Sequence, residues 1–123
     1  SYKTAYFSKN KRIVARLLKT NVSGMIYYEA RTTSQRKRFG IWWQRRISKI
    51  GVSWSNGIVN YYYINKTDYI NAQSYEKSNR ATIIETVFIA YYTVDNSQST
   101  CLAKHWGKDG DKYAIIDNNE IFP

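Results

Sequence analysis

A chain of 123 residues with 43% hydrophobic content is long enough to bury one core unaided, and its single cysteine, Cys101, excludes an intrachain disulfide or a cysteine-rich metal site. Twelve Tyr and four Trp stand where Leu and Met usually do, which favours strands over helices. The net charge of +10 is lopsided: residues 1–50 hold thirteen Lys/Arg against Glu29 alone, while residues 51–123 hold six against eight acids. The positive field therefore belongs to the N-terminal half, and it admits an anionic polymer, an anionic lipid surface or an acidic protein as partner.

In chain order, Tyr2–Phe7 reads as a short edge strand. Lys11–Thr20 alternates, with Ile13, Ala15 and Leu17 on one face and Arg12, Arg16 and Thr20 on the other, the pattern of a strand with a basic outer face. Asn21–Gly24 supplies turn chemistry, and Met25–Thr33 completes a hairpin. Thr32–Arg38 reads as a polar, charged connection. Ile41–Ser55 follows as a strand in which Ile50, Val52 and Trp54 share a face. Trp43 and Ile47 fall out of that phase, which predicts a β-bulge near Arg45-Arg46. Trp54 is expected in the core and one of Trp42 and Trp43 nearer solvent.

Asn56-Gly57 predicts a type I′ hairpin turn, with Ile58–Ile64 as the returning strand. Asn65–Asn79 is polar, with a short helix expected over Asp68–Lys77. The β-branched run within Arg80–Val94 predicts a long strand, Asp95–Ser99 a turn, and Thr100–Trp106 with Lys112–Asp117 a last hairpin around Gly107–Asp111. The fold expected is a single all-β domain spanning residues 1–123, an antiparallel sandwich or flattened barrel of about eight strands with at most one short helix.

Two stretches bring chemistry together. Arg31 and Arg36–Trp54 place Arg36, Lys37, Arg38, Arg45, Arg46 and Lys49 beside Phe39, Trp42, Trp43 and Trp54. Cations neutralise fixed anions and release counterions, while an exposed indole stacks on a base or a sugar ring. The candidate binding residues are Arg31, Arg36, Lys37, Arg38, Trp42, Trp43, Arg45 and Arg46. The second stretch holds the only histidine, in Lys104-His105-Trp106-Gly107-Lys108-Asp109-Gly110-Asp111. A metal-independent nuclease needs a general base, a general acid and a cation near the phosphate, which makes His105, Lys104 and Lys108 the candidate catalytic set. Asp109 and Asp111 fall short of a cation loop. No Gly-rich phosphate loop, nucleophile elbow, HExxH or CxxC occurs, so no metal or cofactor is expected.

Tyr61-Tyr62-Tyr63 followed by Lys66-Thr67, with Trp106 after Ala103-Lys104, resembles the aromatic-rich pattern of the small secreted lactococcin-type bacteriocins. The likeness spans less than half the chain and lacks that family's His positions. It implies a β-sandwich acting at the cell envelope. The function expected from the residues themselves is an exported, non-enzymatic binding module that engages an anionic polymer or acidic protein surface through its basic half. The alternatives are an RNA-cleaving toxin domain using His105, and a cationic, bacteriocin-like envelope-active protein. A start at Ser1 without Met, a Tyr/Asn/Ser/Lys-rich composition and no apolar run approaching about 20 residues are read as a processed or trimmed protein that is secreted or held at the envelope, with no transmembrane segment.

Overall fold

The computed structural model describes residues 2–123. Its strands are β1 (Tyr2–Ser8), β2 (Lys11–Val22), β3 (Met25–Arg38), β4 (Ile41–Gln44), β5 (Ile47–Trp54), β6 (Gly57–Asn60), β7 (Thr67–Ile70), β8 (Gln73–Arg80), β9 (Thr82–Ala90), β10 (Leu102–Asp109) and β11 (Lys112–Glu120). A single 3-10 turn, Asn96–Gln98, is the only helical element among the described residues. One sheet runs β1-β2-β3-β4 with β9 also on β3, a second runs β11-β10-β5-β8, and β6 and β7 form a separate ribbon. The all-β antiparallel expectation holds in its sandwich form, since the sheets do not close into a barrel.

β3 organises the first sheet. β2 pairs along its whole length, from Lys11 opposite Arg36 to Val22 opposite Met25. Its other edge is shared end to end: β9 takes Ile26–Thr33 and β4 takes Gln35–Arg38. Ser34 is the seam, its N–H donating to the Ala81 carbonyl (2.7 Å) and its carbonyl accepting from the Arg45 N–H (3.0 Å). At that seam the chain changes sheet twice. β4 passes through Arg45-Arg46 into β5, and β8 passes through Ala81 into β9, while β5 and β8 pair with each other from Ile47 opposite Arg80.

Two expectations are corrected here. The phase change at Arg45-Arg46 is a crossing between sheets rather than a bulge, because the residues on either side of it face different layers. Thr32–Arg38 is the second half of β3 rather than a connection. Ladder partners on both edges satisfy its backbone, and Thr32 and Ser34 are buried.

The core lies between the sheets. Ile13, Ala15, Tyr28 and Ala30 from the first meet Ile50, Val52, Trp54, Ala103, Ala114 and Ile116 from the second, with Ile83 and Val87 of β9 in the same cluster. The alternation read at Ile13 and Ala15 and at Ile50, Val52 and Trp54 is the alternation observed.

Asn56-Gly57 does not make the predicted hairpin, since neither residue has positive φ. A Cβ on Gly57 would lie 2.8 Å from both Cys101 Cβ and the Thr100 carbonyl oxygen, so glycine is needed there for close approach. The Asn56 side chain accepts from the Ala72 N–H instead (2.8 Å), and the chain enters β6, which pairs with β7. The two-residue turns with positive φ at both positions are Ser23-Gly24 and Phe39-Gly40. The helix expected over Asp68–Lys77 is also absent. With no apolar stripe to bury, that stretch forms β7 and the polar edge strand β8, whose Glu76 and Lys77 are the charges that discourage edge-to-edge pairing. β9 occupies the middle of the long strand expected over Arg80–Val94, and the last hairpin is present with a tighter turn than expected, since β10 runs on through Gly107 to Asp109.

Candidate functional site

Because opposite residues in an antiparallel pair point to the same face, the registers of β1 to β4 fix what the outer surface of the first sheet displays. Tyr2 lies opposite Arg16 and Tyr6 opposite Arg12; Arg12 lies opposite Gln35 and Arg16 opposite Arg31; Gln35 lies opposite Gln44 and Lys37 opposite Trp42. Four cations, Arg12, Arg16, Arg31 and Lys37, therefore share one face with Tyr2, Tyr6 and Trp42. The Arg12 guanidinium stacks over the Trp42 ring at 3.9 Å, and Lys37 Nζ lies 5.9 Å from the same ring. Tyr6 meets Trp42 edge-on at 6.2 Å. Arg12 Nε donates to Gln35 Oε1 (2.8 Å), and a hydrogen bond from Arg12 holds the Tyr6 phenol below its usual pKa.

Arg16 and Arg31 sit directly opposite each other, an arrangement that like charges disfavour. Both line a polar hollow of about 150 Å³, together with Val14, Thr33, Gln35 and Gln44. Arg31 Nε is buried and makes no hydrogen bond. Among the described residues, ion pairs occur only at Arg45–Asp109, Lys49–Glu76 and Lys66–Asp68, so none of these four outer-face cations is paired to an acid.

Beyond Ser34, the β3–β4 hairpin carries the second part of the site. Arg36 and Arg38 have the parity of the core-facing residues Ala30 and Thr32, yet they are exposed together with Ile41 and Trp43 opposite them. The face that covers the core lower in β3 is bare here. An open hollow of about 420 Å³ lies against Arg36, Arg38, Phe39, Trp43, Gln44 and Arg45. Phe39 is 99% exposed at φ 53, and Trp43 is 56% exposed.

The predicted binding residues thus divide. Arg31, Lys37 and Trp42 share the outer face, Arg36, Arg38 and Trp43 share the opposite side of the hairpin tip, and Arg46 is exposed at the crossing. Trp43 is the more exposed of the paired tryptophans, and Trp54 is core, as read from the sequence. Arg45 is committed elsewhere. Its two terminal nitrogens donate to the two carboxylate oxygens of Asp109 at 2.9 and 3.1 Å, tying the crossing to the end of β10 and holding that carboxyl below its usual pKa. Tyr2, Tyr6, Arg12 and Arg16 complete the face and were not among the predicted set; the basic alternation of Lys11–Thr20 was the signal for the two arginines.

His105 does not meet the lysines expected beside it. Alternation along β10 turns His105 into the core, fully buried, and turns Lys104, Trp106 and Lys108 to the opposite face. Thr32 Oγ1 donates to the Gly51 carbonyl (2.9 Å), so the 3.1 Å contact between Thr32 Oγ1 and His105 Nδ1 is a bond donated by the ring. Asn119 Nδ2 donates to Nε2 (3.1 Å), consistent with the same neutral tautomer. Burial pushes the imidazole pKa down to about 4. Both ring nitrogens are occupied within the protein, and no substrate phosphate reaches either one.

On the second sheet's outer face, the Trp106 ring lies flat over Gly51, next to an open groove of about 360 Å³ bordered by Ser53, Ser74, Lys104, Tyr113 and Ile115. The described residues contain no cluster of three or more His, Cys, Asp or Glu able to hold a metal ion, and no helix among them is long and apolar enough to cross a membrane. No family model, curated protein or solved structure matches the chain.

Proposed function

We propose that this protein is an exported, non-enzymatic binding module that engages an anionic partner through the outer face of its first sheet and the adjoining β3–β4 tip. The observation that carries this reading is the cross-strand pair of Arg16 and Arg31, two unpaired guanidinium groups facing one polar hollow, with the Arg12–Trp42 stack beside them. A fixed anion in that hollow offsets the repulsion of the two arginines, and it offers an acceptor to the buried Arg31 Nε. Tyr2, Tyr6 and Trp42 add flat apolar surface to which a sugar ring or base can be applied. The Tyr/Asn/Ser/Lys-rich composition is the support for an exported setting. The burial of His105 speaks for binding over RNA cleavage.

The test is binding to a sulfated polysaccharide and to a random-sequence DNA duplex, for the wild type and for a variant with Arg16→Gln and Arg31→Gln. Loss of binding to both polymers in the variant, with a melting temperature no lower than that of the wild type, is the expected result. Equal affinity in the two proteins would remove the outer face from the site.

A further inference from the structure

We infer that the β3–β4 tip docks on the surface of an anionic lipid bilayer, with Phe39 and Trp43 entering the boundary between headgroups and acyl chains while Arg36, Lys37 and Arg38 engage lipid phosphates. This rests on the reading above, that the region binds an anionic partner, and gives the partner's chemistry. Phe39 is the first observation. A type I′ turn requires positive φ at both central residues, and Asn, Asp or Gly serve there because a larger side chain is crowded in the left-handed region. Phe39 nevertheless holds φ 53 at the apex with almost its whole surface in water. Ser23 occupies the corresponding position of the other such turn at φ 49. Neither backbone geometry nor burial favours phenylalanine at this point, whereas a contact outside the chain does.

The surroundings identify that contact. Ile41 and Trp43 lie on one face of the same hairpin and are both more than half exposed, so the apex is apolar and one side of the tip sets two apolar side chains against Arg36 and Arg38. Trp is the residue type that settles at a bilayer interface. Arg36, Lys37 and Arg38 are exposed and alternate in direction, putting cations on both sides of the hairpin just behind the apex. Their aliphatic stems follow apolar surface while the charged ends stay at phosphate level. A soluble polyanion uses the cations and can stack a ring on Trp43 or Phe39, but it gains nothing from Ile41. An anionic bilayer uses all of them, combining a small apolar anchor with a polybasic collar as interfacial proteins do.

The experiment measures the full chain against vesicles of phosphatidylcholine alone and of phosphatidylcholine with phosphatidylglycerol, by co-sedimentation and by tryptophan emission. Parallel arms measure binding to the DNA duplex. Association with the anionic vesicles only, with a blue shift that disappears in Trp43→Phe, is the expected result. Phe39→Ser, which installs the residue used at the equivalent turn, should lower vesicle partitioning roughly ten- to a hundredfold, the factor for withdrawing one aromatic side chain from an apolar phase. Vesicle binding unaffected by Phe39→Ser, or equal on neutral and anionic lipid, overturns the inference. DNA binding without any vesicle binding overturns it while the binding-module reading stands. Binding to neither lipid nor polymer overturns both.

Discussion

Protonating His105 is the perturbation with the most completely determined consequence. The ring is buried and neutral, with Nδ1–H donating to Thr32 and Nε2 accepting from Asn119, so a second ring proton would lose the bond to Asn119 and put an unpaired charge in the core. Burial lowers its pKa from 6.5 to about 4. Between those two values the unfolded chain binds one proton more than the folded chain, so stability rises with pH there at about 1.4 kcal/mol per unit. The contribution is fully present above pH 6.5, declines as pH falls towards 4, and in total amounts to about 3 kcal/mol. Asp109 does not confuse the window: its pKa is held below the usual carboxylate value, so its contribution is lost only under more acid conditions. Urea denaturation of wild type and His105→Gln at several pH values between about 7 and 4.5 isolates the effect, because glutamine can hydrogen-bond but does not titrate in that range. The variant should be less stable at neutral pH by about 1–3 kcal/mol, and the gap should narrow on acidification. Parallel stability curves for the two proteins would refute the buried neutral imidazole.

Other consequences can be checked by melting and by binding. Alanine normally stabilises a strand relative to glycine, but Gly51→Ala should destabilise by about 1–3 kcal/mol, because its Cβ would fall 2.0 Å from Trp106 Cζ2; a higher melting temperature would contradict the flat placement of that ring. A double-mutant cycle on Arg45 and Asp109 should give a coupling of about 1–2 kcal/mol, whereas the same cycle on the exposed Lys49–Glu76 pair should give no more than about 0.5 kcal/mol. Equal couplings would mean that the bidentate geometry contributes nothing. Phe39→Asn should raise stability by about 1 kcal/mol, since Asn tolerates the left-handed conformation better, in the same protein in which apolar contacts at the tip are lost. A lower melting temperature would show that Phe39 supports the fold.

Much of the sandwich was legible because its two faces differ in polarity. Ile13, Ala15 and Leu17 repeat at the strand period opposite a face that carries Arg12 and Arg16, and Ile50, Val52 and Trp54 repeat with Gly51 and Ser53 between them. Sheet membership was not legible. Alternation reports which way a side chain points but not which layer it points from, so the crossings at Arg45-Arg46 and Ala81 registered only as a phase slip or not at all. Local polarity was misleading at Thr32–Arg38, where buried Thr32 and Ser34 and the exposed basic end belong to one strand whose partners lie elsewhere in the chain. The site was half visible for the same reason. Arg31 and the hairpin cations are neighbours in sequence, but Arg16 joins Arg31 and Arg12 joins Trp42 only through the pairing of β2 with β3 and of β3 with β4. His105 was separable from Lys104 and Lys108 by parity alone, once that stretch is a strand rather than the lead into a turn.

The salt dependence of polymer binding tests the central claim most directly. Affinity for the random-sequence DNA duplex, measured from low to physiological ionic strength, should fall linearly on logarithmic axes, each engaged cation adding about 0.9 to the slope. With Arg12, Arg16, Arg31 and Lys37 on the outer face and Arg36 and Arg38 on the other side of the adjoining tip, the wild-type slope should be several units. Replacing Arg36, Lys37 and Arg38 together by glutamine should reduce it by about two to three units. An affinity indifferent to salt, or a slope that the triple replacement leaves unchanged, would contradict the assignment of this surface to an anionic partner.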